Sequence, residues 1–251
     1  MKFKVFVINL DKSTERMAFM QQQLEQLNIE FERVPAVYGK DLTSEIVSNV
    51  YDRKLNLLKY NKELSLGEIG CYLSHIKCWE YIVSQELDFA VILEDDAVIS
   101  NELIFFMDKL KDFIGWDYIK ICKSHKHKKV YDNFDLSLGC ALHKAYKFPA
   151  SNRGQIVSIC GARKLLETAF PISRPVDIDI QYWFEKNLHC FVSTPTLITG
   201  KYFESDIDMQ GGRNIKRVPF YIRLWQKISF ELKLIENRHC LPDFPKFKGR
   251  E

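Results

Sequence analysis

VFVINLDKSTERMAFMQQQLEQLNIEFERVPAV, residues 5–37, sets the fold class. Val5 to Leu10 is an apolar run that meets Asp11, Ser13 and Thr14, the pattern of a buried strand running into a helix cap. Met17, Met20, Leu24 and Leu27 follow at helical spacing. Phe31 to Val37 is a second short strand, closed by Gly39. Strand, helix and strand in so short a span make a βαβ unit, which requires parallel strands with helices on the sheet faces.

The rest of the chain extends that unit. Leu42 to Leu58 is expected to be helical, with a break over Leu64 to Gly67. Gly67 to Gln85 forms a long helix carrying His75, Trp79 and Ile82 at helical spacing. Asp88 to Ala97 is the strongest strand signal, with Phe89-Ala90-Val91-Ile92-Leu93 running into Glu94-Asp95-Asp96. Residues 101–113 are expected as helix, Trp116 to Cys122 as strand and the basic stretch 123–133 as loop. Ile156 to Cys160 reads as strand, Ala162 to Ala169 as helix, Asp179 to Asn187 as helix, and His189 to Val192 as strand stopped by Pro195. The expected fold is α/β, a Rossmann-type mixed sheet flanked by helices over residues 1–210, with a basic helical extension over 211–251.

Composition excludes several classes. Of 251 residues, 46% are hydrophobic and 27% charged, proportions that exclude disorder, collagen and coiled coil for the bulk of the chain. The net charge is only +3, but residues 211–251 hold ten basic and four acidic residues. The tail is therefore +6 and the body −3. The seven cysteines are odd in number and lack a CxxC, so zinc-ribbon and thioredoxin readings fail, and reduced core thiols are expected. The opening MKFKVFVINLD is too short an apolar run for a signal peptide, and no apolar stretch reaches membrane-spanning length. A cytoplasmic protein is expected.

Several constellations carry chemistry. Glu94, Asp95 and Asp96 close an apolar strand, and ligands of α/β sheets gather at strand carboxyl ends. Clustered oxygen ligands suit Mg²⁺ or Mn²⁺; the alternative is a solvated acidic turn or a cap for the helix near Asn101. Asn9, Asp11 and Arg16 end the first strand, where they can meet a nucleotide or merely cap a helix and face solvent. Glu68, Gly70, Ser74 and His75 share one helical segment, with Glu68 and His75 two turns apart on one face. A glycine inside a helix implies close approach by another group; a core histidine is the alternative. Ser74 and His75 are adjacent and no GxSxG is present, which argues against a hydrolase. Asp177 and Asp179 follow Pro171 and Pro175 and are candidates for general base and positioning residue, or Asp179 for a helix N-cap. Phe220, Tyr221, Leu224, Trp225, Ile228, Leu232 and Ile235, interleaved with Arg223, Lys227 and Lys233, form a basic amphipathic helix. It suits an anionic membrane surface, or a core-facing helix with a solvated basic side. No nucleic-acid module accompanies it.

Five pieces, VFVINLDKSTERM, FERVPAVYGKDL, LSLGEIGCYLSHIKCWE, FAVILEDDAVI and ICGARKLLETAFPISRPVDIDI, together resemble glycosyltransferase family 25, the bacterial lipooligosaccharide glycosyltransferases related to collagen galactosyltransferases. The resemblance spans residue 5 to about residue 180, in family order and spacing. It implies a GT-A-like fold, a nucleotide-sugar donor, most often UDP-galactose, a divalent cation (Mn²⁺ or Mg²⁺) and a glycan acceptor. That acceptor would be lipid-linked, at the cytoplasmic face of the inner membrane. On the motifs, Asn9, Arg16, Ala36, Gly39, Glu68, Gly70, Ser74, His75, Glu94 and Asp95 fall in the donor-binding set, and Asp96, with Asp95 through water, on the metal. Asp177 fits the family's later aspartate and is the first candidate base, with Asp179 second. Failing both, the acidic stretch Glu204, Asp206 and Asp208 comes next. One departure is GQIVSIC, where relatives carry a Gly-Tyr pair; it puts Gln155 and Ser158 in the donor or acceptor pocket. A nucleotide-sugar-binding protein without transfer activity and a metal-dependent phosphotransfer or phosphohydrolase enzyme are the alternatives.

Overall fold

The computed structural model describes residues 1–122, 131–148, 150–200 and 217–248. In chain order the strands are β1 (Phe3–Asn9), β2 (Glu32–Pro35), β3 (Phe89–Glu94), β4 (Ala97–Ile99), β5 (Phe113–Ile114), β6 (Tyr118–Lys120), β7 (Tyr131–Ser137), β8 (Cys140–Lys144), β9 (Gly154–Ser158), β10 (Cys190–Thr194), β11 (Ile198–Gly200) and β12 (Lys246–Phe247). The helices are α1 (Thr14–Gln26), α2 (Ser44–Val50), α3 (Arg53–Lys59), α4 (Leu66–Ser84), α5 (Glu102–Leu110), α6 (Ile159–Glu167), α7 (Val176–Asp179) and α8 (Phe220–Glu236).

Eight strands join one sheet in the order β2-β1-β3-β9-β6-β10-β8-β7. β2, β1 and β3 are parallel, the βαβ arrangement expected from residues 5–37. β9 runs against both β3 and β6, β10 is parallel to β6, and the β7–β8 hairpin closes the far edge. The α/β class with a mixed, helix-flanked sheet is thus the fold of this chain. Strand alternation divides the core. Phe6, Ile8, Ala90 and Ile92 pack with Tyr72, Ile76 and Trp79 of α4. Val5, Val7, Val91 and Leu93 pack with Met20 and Leu24 of α1 and Leu103 and Phe106 of α5.

Several expected elements differ. The helix over 42–58 divides at Tyr51–Asp52, because the Asp52 carboxylate accepts from Leu55 N at 2.9 Å and starts a second helix. The 88–97 strand breaks at Asp95–Asp96, and Ala97–Ile99 turns away to pair with β11. That separates the acidic cluster from Asn101, so it does not cap α5. The helix over 101–113 stops at Leu110, and Phe113–Ile114 pairs with β12. Residues 131–133, expected as loop, open β7, whose hairpin turns through Ser137, Leu138 and Gly139 at positive φ. The helix over 179–187 is instead the end of α7 followed by a 3₁₀ segment at Ile180–Glu185. Among the described residues no helix is long and apolar enough to cross a membrane.

The C-terminal segment packs onto the body. Gln226 donates to the carbonyls of Leu57, Leu58 and Tyr60, Leu234 is fully buried, and the Phe230 ring lies 4.6 Å from that of Tyr182. Phe220, Tyr221, Leu224, Trp225, Ile228, Leu232 and Ile235, the apolar set that could have faced the core, are all exposed, Tyr221 by 70% and Trp225 by 65%.

Candidate active site

The site lies at the carboxyl ends of β1 and β3, where the three carboxylates of Glu94-Asp95-Asp96 go three ways. Glu94 shares the α4 face of the sheet with Ile92 and its cross-strand partner Gln155. There its Oε1 meets His75 Nε2 at 3.4 Å. Asp95 turns to the α1 side, accepting from Asn9 Nδ2 at 2.8 Å and from Arg16 at 3.3 Å. Asp96 accepts from Arg153 Nε at 2.7 Å, while its Oδ1 is buried without a partner. Arg153 is in place because its carbonyl bonds Glu94 N at 3.0 Å, at the mouth of β9.

The electrostatics follow from burial against these partners. Burial pushes the Glu94 carboxyl up, but the His75 hydrogen bond and the charges of His75, Arg153 and Lys120 outweigh it, and its pKa lies below the usual value. For Asp95 and Asp96 burial wins and both pKa values are raised; Glu94 adds to the effect at Asp96, and Arg153 opposes it.

The α4 motif is positioned by packing. Gly39 and Gly70 let the segment after β2 touch the helix: a Cβ on Gly70 would lie 2.6 Å from Val37 O, and one on Gly39 2.5 Å from Leu66 O. Ser74 accepts from Val37 N at 2.8 Å and donates to Gly70 O at 2.7 Å. Ala36 N donates to Asn9 O at 3.0 Å, which sets this segment beside the end of β1. Glu68 does not reach His75. It forms a capping box with Ser65 and pairs with Lys62 at 3.0 Å. The Ser65-x-x-Glu68 spacing is the signal that could have shown it. His75 is fully buried, with Nδ1 2.8 Å from Gln155 Nε2.

A cleft of about 320 Å³ opens here, lined by Glu68, Cys71, Glu94, Asn152, Arg153 and Asp177 among others. A larger groove of about 1030 Å³ lies at the opposite end of β1, around Phe3, Ile29 and Phe105, away from the clustered acids. Asp177 brings a half-buried carboxylate to the cleft. Burial raises its pKa, with the Lys120 charge opposing and Glu94 reinforcing. Asp179 is placed otherwise. It ends α7 and stands at the N-cap position of the 3₁₀ segment Ile180–Glu185, but its side chain makes no capping hydrogen bond there. Its oxygens accept from Tyr72 at 2.7 Å and Arg174 at 3.1 Å and pair with Lys186 at 2.7 Å. Burial raises its pKa, but Lys186 and Arg174 bring it below the ordinary value. Glu204, Asp206 and Asp208 lie outside the described residues.

Sequence reasoning missed Lys120, Asn152 and Arg153. Lys120 is buried on β6 opposite Gln155 and donates to Asn152 Oδ1 at 2.7 Å and Tyr118 at 3.1 Å. Its signal was a lysine at a core-facing position of a period-2 strand, Tyr118-Ile119-Lys120. Asn152 and Arg153 sit just before a strand and carry no periodicity. The thiols are free: Cys78, Cys122, Cys140 and Cys190 are buried, as expected of core residues, whereas Cys160 and Cys240 are exposed.

A family model described as glycosyltransferase family 25 (LPS biosynthesis protein) matches residues 2–180, from β1 through α7. The chain belongs to glycosyltransferase family 25. Similar family 25 relatives include procollagen galactosyltransferase 1-B of Xenopus laevis, 30% identical over 73% of this chain and 31% of its own length. A glycosyltransferase 25 family member of Drosophila melanogaster is 27% identical over 81% of this chain and 36% of its own length. The inactive glycosyltransferase 25 family member 3 of Mus musculus is 25% identical over 82% and 38%. This chain thus spans about a third of these relatives' length.

Proposed function

We propose that this protein transfers a hexose, galactose from UDP-galactose in the first instance, to the glycan of a lipooligosaccharide or lipopolysaccharide acceptor, with inversion at the anomeric carbon. The observation that carries this is Asp177: within the span matched by family 25, a half-buried carboxylate of raised pKa lines the same cleft as Glu94, which leads into the acidic turn, and Arg153, which holds Asp96. In a single displacement the acceptor hydroxyl attacks the anomeric carbon as Asp177 takes its proton, and the nucleoside diphosphate leaves with the glycosidic electron pair. One base suffices, and no covalent sugar intermediate forms. Asn9, Arg16 and the segment from Ala36 to Gly39 frame the nucleotide at the end of β1. Arg153 and Lys120 supply positive charge beside the cleft.

A divalent cation fits Asp96, whose Oδ1 is a buried acceptor without a partner. Asp95 fits less well, since Asn9 and Arg16 already occupy its two oxygens. Asp96 would therefore hold Mn²⁺ or Mg²⁺, with phosphate and water completing the shell, and the ion would neutralise charge on the departing diphosphate.

The acceptor reading places the enzyme at the cytoplasmic face of the inner membrane. The outward apolar face of α8, flanked by Arg223 and Lys227, supports peripheral contact with anionic lipid. A donor-binding protein without turnover is the second reading, favoured by the inactive mouse relative. The test is UDP release from nucleotide sugars with and without a truncated lipooligosaccharide. Release stimulated by acceptor supports transfer; saturable UDP-sugar binding with no release supports the second reading; release of inorganic phosphate rejects both.

A further inference from the structure

Cys71 and His75 lie one turn apart on α4, and Glu94 ends β3 directly opposite them. Cys71 Sγ, a ring nitrogen of His75 and a Glu94 oxygen all fall within 4.8 Å of one another. Sγ is 4.0 Å and Nε2 3.4 Å from Glu94 Oε1. Tetrahedral zinc bonds of about 2.0–2.3 Å put sulfur, nitrogen and oxygen ligands on the order of 3.3–3.6 Å apart. The nitrogen–oxygen pair is already at that separation, the sulfur–oxygen pair is within about half an ångström of it, and sulfur and nitrogen lie no more than 4.8 Å apart.

The second observation is behind the histidine. Gln155 is fully buried, its Nε2 is 2.8 Å from His75 Nδ1, and its Oε1 has no partner. With the amide in this orientation Nδ1 accepts, so Nε2 carries the proton and makes a long bond to Glu94. An amide's oxygen and nitrogen are assigned from the hydrogen-bond network. Turning the Gln155 amide over lets Oε1 accept from Nδ1–H. The Nε2 lone pair of neutral His75 then faces a carboxylate and a sulfur, an arrangement that a cation between them stabilises. A histidine oriented through its other ring nitrogen by an amide or carbonyl is the usual support of a metal ligand.

We infer that Cys71, His75 and Glu94 form a binding site for a thiophilic tetrahedral cation of the Zn²⁺ class, oriented by Gln155. The mixed sulfur, nitrogen and oxygen set separates it from the all-oxygen preference of Mg²⁺ or Mn²⁺ at Asp96. Cys71 and Glu94 line the cleft, so the ion enters from it and keeps its fourth position toward it. On binding, the Cys71 thiol gives one proton to solvent, neutral His75 donates its Nε2 pair, and Glu94 binds as the carboxylate. The site stands independently of the transfer reaction, and its test reads metal alone.

The full chain, stripped of metal, is titrated with Co²⁺ and back-titrated with Zn²⁺. The expected result is one ion per chain, a thiolate-to-cobalt charge-transfer band in the near ultraviolet, and its loss as Zn²⁺ displaces Co²⁺. Cys71→Ser should abolish the band, Glu94→Gln should weaken binding at least about tenfold, and Gln155→Leu about 10–100-fold. Cys160→Ser, at an exposed thiol, should change nothing. A band absent from the wild type, or undiminished in Cys71→Ser, overturns the site. X-ray absorption of the zinc-loaded wild type needs no variant: one sulfur in the shell supports the site, and none rejects it.

Discussion

Asp177 and Asp179 are two residues apart and have opposite surroundings. Asp177 faces the cleft, and its pKa is raised chiefly by burial. Its native carboxyl keeps a proton at pH values where the unfolded chain has lost it. Transfer should therefore fall as pH drops through that raised pKa, and this group should lower stability as pH rises from the ordinary carboxylate range through it. Asp177→Asn should reduce kcat about 10²–10⁴-fold with calorimetric UDP affinity nearly intact; a proportional loss of donor affinity would make it a donor contact. Lys120 is the largest opposing charge, so Lys120→Gln should move the acidic limb of the kcat profile to higher pH. Asp179 is the reverse case. Its pKa is lowered by Lys186 and Arg174, so its contribution to stability is fully present above the ordinary carboxylate pKa and is lost as pH falls through the native one. Asp179→Asn should cost about 3 kcal/mol, read by denaturant unfolding at neutral pH, with the kcat of the folded fraction preserved.

Among the elements, α4 and α8 use their faces differently. α4 is buried on most sides and meets the segment after β2 backbone to backbone, at Gly70 and, through Gly39, at Leu66. Gly70→Ala puts a methyl 2.6 Å from Val37 O, with backbone on both sides and no flexible side chain to yield. The expected loss is about 1–3 kcal/mol in thermal unfolding, together with weaker UDP binding, because Val37 and Ala36 adjoin the end of β1. An unchanged melting temperature would show that the two backbones separate without cost. α8 docks through Gln226, Phe230 and Leu234 and leaves its other face apolar. Tyr221→Ser with Trp225→Ser should leave the melting temperature unchanged, since both side chains are exposed. The same pair should remove sedimentation with anionic vesicles, and retained sedimentation would reject the face as a membrane contact. Salt should weaken binding by the wild type, since each basic residue near the surface contributes roughly 1 kcal/mol.

At the scale of the molecule, the C-terminal segment is joined to the body at both ends. The backbone of Arg217 forms an antiparallel β-bridge with Lys62, β12 pairs with β5, and the Phe244 ring stacks on Phe134 and Phe191. A chain ending before residue 217 would uncover these rings and the face that receives Leu234. Its expected behaviour is a lower melting temperature and aggregation, by differential scanning fluorimetry and light scattering. Full retention of the wild-type transition would show that the body is stable without it.

The parallel strands β2, β1 and β3 were legible because local patterns carried them: apolar runs of strand length, and helical spacing at Met17, Met20 and Leu24. The acidic turn, the α4 motif and Asp177 were visible too, as residue types at telling positions. Their partners were not. Which carboxylate meets His75, Arg16 or Arg153 depends on strand pleat and on β9 running antiparallel to β3, and pairing direction has no local signature. Lys120 and Gln155 meet because β6 and β9 lie side by side, although they stand far apart along the chain. The side of α8 that meets the body was hidden for a related reason. Periodicity shows that a helix has an apolar face; it does not show whether that face packs inward, and here docking through Gln226 and Leu234 turned it outward.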